Sequence, residues 1–151
     1  MIEREPLVIR PIERADAAAV AQLNGELGYP ATVSEVAQRI AALQNAGRQS
    51  VLVACRNNDV VGWIDVAITF HLQTPPYALI GGLVVKEGLR GQQIGKRLCE
   101  QAEAWSRAQG VFLMRVTSRS TRDDAHRFYL RDGYTDVKTS RVFEKDLSQD
   151  R

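Results

Sequence analysis

No run in these 151 residues approaches the roughly 18 uninterrupted apolar residues of a membrane-spanning helix, so a helical span is not expected. Cysteine and histidine are scarce, at two each, and Cys55 and Cys99 have no metal or redox spacing. Both read as buried free thiols, and zinc is not expected. Three glycine signatures are also missing: the Walker loop ending in Gly-Lys-Ser/Thr, the dinucleotide fingerprint Gly-x-Gly-x-x-Gly, and the hydrolase elbow Gly-x-Ser-x-Gly. Nucleotide hydrolysis, hydride transfer and Ser-His-Asp hydrolysis lose ground accordingly. Repeats and low-complexity tracts are absent, so one domain over residues 1–151 is expected, with a frayed tail after about Leu147. The opening Met1-Ile2-Glu3-Arg4-Glu5 lacks the basic-then-apolar pattern of a secretory signal, which makes the cytoplasm the default location.

What is present suits a soluble domain with a real core: 44% hydrophobic and 25% charged residues. A net charge of +2 favours an anionic small ligand but falls short of the basic stripe of a nucleic-acid binder. Leu7-Val8-Ile9-Arg10 reads as a strand ended by Pro11, and Asp16 precedes a helix carrying Val20, Leu23 and Leu27 until Gly28-Tyr29-Pro30 stops it. Thr32-Val33-Ser34-Glu35 has the form of a capping box, opening a second helix that runs to Gly47. Asn57-Asn58-Asp59 divides two Val/Ile-rich runs, Ser50 to Cys55 and Val60 to Phe70, into a hairpin, and Leu79 to Val85 continues the β pattern. From Ile94 the period changes to that of an amphipathic helix ending at Gly110. Phe112, Met114 and Val116 then alternate as a strand, Asp123 or Asp124 opens a helix, and Asp136 to Phe143 is expected to close the sheet. The resulting order is β-α-α-β-β-β-α-β-α-β, an α/β domain.

The most informative stretch is Leu83-Val84-Val85-Lys86-Glu87-Gly88-Leu89-Arg90-Gly91-Gln92-Gln93-Ile94-Gly95-Lys96, in which an apolar strand passes through a short loop into a helix start. Free N–H groups and the helix dipole favour a phosphate there, and small residues let its oxygens approach the backbone. Within it, Arg90 and Gly95 fit the motif Gln/Arg-x-x-Gly-x-Gly/Ala, with Gln93 standing at its first glycine. Downstream, Ala125-His126-Arg127-Phe128-Tyr129-Leu130-Arg131-Asp132-Gly133-Tyr134 fits Ala-x-x-Phe-Tyr-x-x-x-Gly-Tyr/Phe. On these two signatures, in this order, the sequence resembles the GNAT acetyltransferase superfamily.

The resemblance implies a mixed, mostly antiparallel sheet flanked by helices, and acetyl-CoA as co-substrate. It implies that backbone groups around Leu83, Val84 and Val85 pair with the pantetheine arm, and that amides of Arg90, Gly91, Gln92, Gln93, Ile94, Gly95 and Lys96 hold the pyrophosphate. Arg122 stands near the asparagine that family members often carry ahead of the second signature and is a candidate cofactor contact, and Lys96, Arg97, Arg119 and Arg127 are further basic side chains around the motifs. Tyr129 matches the family's general acid, a phenol able to protonate a departing thiolate.

Family members often carry an acidic residue where this chain has Ile80-Gly81-Gly82, so the base needs another source. Alternation puts Trp63, Asp65, Ala67, Thr69 and His71 on one face of the third strand, making Asp65 and His71 candidates, with a solvent-relayed proton as the alternative. A hydrogen bond to the next strand would equally account for Asp65 in a strand. The expected acceptor is a primary amine of a small molecule, held by the first two helices and the loop before Ala78, with Tyr29 lining the site. A protein N-terminus or lysine is the alternative acceptor, and a non-catalytic acyl-CoA-binding module the alternative class. No nucleic acid or membrane partner is expected, and pairing of two copies through an edge strand or helix face is a family expectation.

Overall fold

The computed structural model describes residues 6–89, 93–118 and 122–148, which divide between two compact units, Met1–Thr117 and Ser118–Arg151. In the first unit, β1 (Leu7–Pro11), β2 (Gln49–Arg56), β3 (Asp59–Thr69) and β4 (Tyr77–Val85) pair antiparallel, and β5 (Met114–Val116) lies parallel to β4. The sheet order β1-β2-β3-β4-β5 follows the chain. Pro11 falls at the end of β1, an edge strand, where a residue that cannot donate does least harm. Between β2 and β3, Asn57 and Asn58 take positive φ values of 56° and 67°, the primed-turn conformation that matches the twist of a tight hairpin.

Each face of the sheet is covered by a different helical layer. Val51, Val53 and Cys55 of β2 and Trp63 of β3 meet α1 (Ala17–Glu26) and α2 (Val33–Asn45) through Val20, Ala21, Val36 and Ile40. The Thr32 capping box starts α2 as its sequence predicts: Glu35 N–H donates to Thr32 Oγ1 at 3.0 Å and Thr32 N–H to Glu35 Oε1 at 2.9 Å. On the opposite face lies α3 (Ile94–Ala108), whose Ile94 and Leu98 close over Gly62. A side chain at position 62 would strike this layer. Leu98, Cys99, Ala102 and Ile64 are fully buried there, each large apolar side chain contributing about 1.5–3 kcal/mol. Both cysteines are free and buried, and no described helix is long and apolar enough to cross a membrane.

Two elements depart from expectation. The strand read from Phe112 begins only at Met114, because Phe112 points into solvent. The closing strand over residues 136–143 does not form: in the second unit, α4 (Asp123–Arg131) is followed by residues 134–148 with neither helix nor strand. Val137, Val142 and Phe143 are exposed. With those side chains in water, little apolar burial offsets the entropy of ordering the segment.

The entry to α1 rests on a half-buried ion pair. Arg10 of β1 donates from both terminal nitrogens to Asp16 at 2.8 Å each, and the Glu13 N–H adds a third bond to Asp16 Oδ2 at 2.7 Å. These donors, Arg10 first, hold the Asp16 carboxyl below the usual range although burial opposes them. Because the folded value is depressed, the stability that Asp16 contributes is present above its unfolded pKa of about 3.9 and is lost as pH falls through the folded value. Asp16→Asn is therefore expected to cost about 2 kcal/mol at neutral pH, with the difference from the parent shrinking in acid. Urea denaturation at the two pH values measures this, and equal midpoints at pH 7 would refute it.

Candidate active site

β4 is bound along its whole length on one side only. Its β3 edge is paired from Tyr77 to Val85, whereas β5 meets it only at Ala78, Leu79 and Ile80, with the Ala78 N–H donating to Leu113 O at 2.8 Å. Among the described residues, positions 81–85 have no strand on that second edge. After Ile80 this edge of β4 is open, a fork in the sheet at which alternation turns the backbone groups of Leu83 and Val85 outward, while the Val84 carbonyl faces Gly62 of β3. An extended ligand is accommodated there as an added strand.

At the fork, β4 carries one extra residue. Asp65 pairs with Gly82 and Val66 with Ile80, so Gly81 is bulged out of register. The Asp65 carboxylate lies against the backbone of Gly81 and Gly82, close enough for both amides to favour its charged form. A Cβ at position 81 would run into Asp65 Oδ1 and force the carboxylate to move, and one at position 82 would lie 2.7 Å from Trp63 Cη2. Burial pushes the Asp65 carboxyl above the ordinary carboxylate range, and the two amides pull it partly back. Trp63 is held in turn, its indole N–H donating to Asn24 Oδ1 of α1 at 2.8 Å.

Beyond the fork the chain reaches α3. Arg90, Gly91 and Gln92 lie outside the described residues. Gln93 precedes the helix in the left-handed region, φ 64° and ψ 17°, and its carbonyl accepts from the Arg97 N–H at 3.0 Å. Among the described residues no side chain caps this end, and no acidic residue occupies its first turn. The amides of Ile94, Gly95 and Lys96 are thus the free donors of a helix start, a setting suited to phosphate. Ile94 is buried and Lys96 exposed, so one anchors the turn while the other stays in water.

Asp65 and His71 are not brought together. His71 lies past the end of β3, six residues after Asp65 in the chain. It is exposed, stacks on Tyr77 and shares a 3.0 Å hydrogen bond with the Tyr77 hydroxyl, while Arg115 covers the same ring. Tyr29 is exposed just after α1, its N–H tied to Asn24 O at 2.9 Å. In the second unit, Tyr129 sits half-buried on α4 between Phe128 and Tyr134, edge to face with both at 5.2 and 5.6 Å. Arg122, exposed, precedes the first turn of α4, and Arg127 is exposed on it, while Arg119 falls outside the described residues. The Trp63 to Asn24 bond and the seating of Asp65 on two glycines went unnoticed in the sequence, although a Gly-Gly pair inside a strand pattern signals a bulge or a close approach.

An open strand edge that leads towards an uncapped helix start is a layout for an extended, phosphate-bearing ligand. The profile of the acetyltransferase (GNAT) family matches residues 18–134, and the chain belongs to that family. It is 43% identical over 83 residues to the aminoalkylphosphonate N-acetyltransferase of Salmonella typhimurium, a match covering 54% of this chain and 54% of that protein. The aligned region thus spans about half the length of that relative. Over 153 aligned positions it is 27% identical to the aminoglycoside N(6')-acetyltransferase type 1 of Klebsiella aerogenes, covering 97% of this chain and 100% of the relative. Among solved structures, the aminoglycoside N-acetyltransferase AAC(6')-Iy in complex with CoA shares the fold, with a TM-score of 0.84 at 13% identity over 96% of this chain and 98% of that one.

Gln93 offers a direct check on the helix start. A side chain in the left-handed region costs about 1–2 kcal/mol, and glycine forfeits about 0.5–1 kcal/mol of unfolded-state entropy in exchange for relieving it. Gln93→Gly should therefore stay within about 1 kcal/mol of the parent, whereas the β-branched Gln93→Val should lose more than that. Denaturant titration separates them. A valine variant as stable as the parent would mean that position 93 is not left-handed in solution.

Proposed function

We propose that the whole of residues 1–151 acts as one acetyltransferase domain, moving an acetyl group from acetyl-CoA to a primary amine of a small molecule. The observation that carries this reading is the fork after Ile80, with the free amides at the start of α3 as its continuation. Leu83, Val84 and Val85 pair with the pantetheine arm, while the amides of Gly91 to Lys96, Gln93 included, hold the pyrophosphate, with Arg90 and Arg122 as flanking positive charge. Acetyl-CoA supplies the acetyl thioester. Relatives that act on aminoalkylphosphonates and aminoglycosides support a small amine-bearing acceptor.

Asp65 receives a proton from the acceptor's ammonium and passes it to water, leaving a neutral amine. As the nitrogen–carbon bond forms, the carbon–sulfur bond breaks. Tyr129 hands its phenolic proton to the departing sulfur and is restored by the second proton of the amine. His71, tied to Tyr77 far along β3, supports the sheet end rather than this step. Tyr29 lines the acceptor entrance at the end of α1.

Acetyl-CoA, but not ATP or NAD, should raise the melting temperature, since a ligand that binds the native state stabilises it. No shift at high acetyl-CoA would remove the proposal. Tyr129→Phe should keep that shift yet lose about 100-fold in turnover, within the usual range for a general acid. Because burial raises the Asp65 carboxyl, the acid limb of kcat/KM should lie above the ordinary carboxylate range, a limb that Asp65→Asn abolishes. Retention of the same limb by Asp65→Asn would assign the base elsewhere.

A further inference from the structure

Where β4 leaves β5, a carboxylate arrives from the opposite neighbour. Ile80 is the last β4 residue paired with β5, and the next two, Gly81 and Gly82, lie directly against the Asp65 side chain, whose carboxylate occupies the space a side chain at position 81 would need. A carboxylate has about four acceptor positions, which suits it to a ligand carrying several donors. Its neighbour is aromatic: at position 82 a Cβ would meet the Trp63 ring at 2.7 and 2.8 Å and Asp65 Oδ2 at 3.4 Å, so indole and carboxylate face one point. Asn24 fixes that indole, and the Asn24 carbonyl also holds the Tyr29 N–H, so the end of α1 and the wall of the subsite are tied to one residue.

We propose that Asp65, seated on Gly81 and Gly82 and walled by Trp63, is the subsite that receives the acceptor's primary ammonium, with Gly81, Gly82 and Asn24 as positioning residues that keep carboxylate and indole at the fork. The inference rests on the acetyl-transfer reading above and deepens it. The pairing is mutually exclusive by geometry: a side chain at position 81 meets only the Asp65 carboxylate and displaces it, so Gly81 acts through Asp65, while Gly82 leaves room for the Trp63 ring. A cationic amine is selected because the carboxylate offers it both an ion pair and hydrogen-bond acceptors, while a neutral hydroxyl of the same size gains neither the charge nor the full set of donors.

The test is a double-mutant cycle on the full chain, read as kcat/KM for the best primary amine among aminoalkylphosphonates and aminoglycosides and as the dissociation constant of acetyl-CoA by calorimetry. Asp65→Ala and Gly81→Ala should each lower kcat/KM by about 100-fold with acetyl-CoA affinity unchanged, and the double variant should be no worse than Asp65→Ala. Trp63→Phe, which loses the donor to Asn24, should raise KM for the amine more than it lowers kcat. If Gly81→Ala retains its full effect without Asp65, or if Asp65→Ala leaves kcat/KM intact, the subsite assignment is wrong. Should Gly81→Ala fail to fold, the near-isosteric Asp65→Asn decides on the same readout, and unchanged kcat/KM overturns the proposal. Absence of acetyl-CoA binding by the parent chain would instead bring down the acetyl-transfer reading on which it rests.

Discussion

Everything that makes a site of this sheet depends on the separation of β4 from β5 immediately after Ile80. β3 holds β4 through its whole length, whereas β5 is only three residues long and its pairing with β4 ends at Ile80. The bulge falls at Gly81, one residue past the last parallel pair. A bulge bends its strand and increases the local twist, and here that bend coincides with the opening. The same extra residue sets Gly81 against the Asp65 carboxylate of the neighbouring strand.

The two helical layers then divide the labour. The face carrying Trp63 and Asp65 lies under α1 and α2, and the opposite face packs on α3. α3 is anchored by fully buried Leu98, Cys99 and Ala102, so its start is a rigid terminus rather than a fraying end. The left-handed Gln93 completes that terminus without capping it, leaving the first amides available. Polar chemistry on one face and phosphate-seeking amides at the end of the strand are thus joined through β4.

Much of the scaffold was legible because its signals are local. The Thr32 capping box, the Asn57-Asn58 turn and the amphipathic period of α3 each depend on residues within a few positions of one another. The strand expected over residues 136–143 was misread for the complementary reason. Its Val and Phe residues have β propensity, but a strand is stabilised by a partner edge and by burial, which alternation alone cannot guarantee. His71 shows the same limit at the site. Alternation puts it on the Asp65 face, yet β3 ends before it and Tyr77 captures its ring.

By itself the sequence determined the helices and all strands but the last expected one, where the phosphate-seeking turn lies and which family the two motifs resemble, because those properties follow from short-range periodicity, capping and turn chemistry. Tertiary structure alone decided that Asp65 rests on Gly81 and Gly82, that Trp63 reaches Asn24, and that β4 opens beyond Ile80. Those facts depend on register between strands and on contacts 15 to 40 residues apart in the chain, and a one-residue bulge that no local pattern specifies is enough to change them.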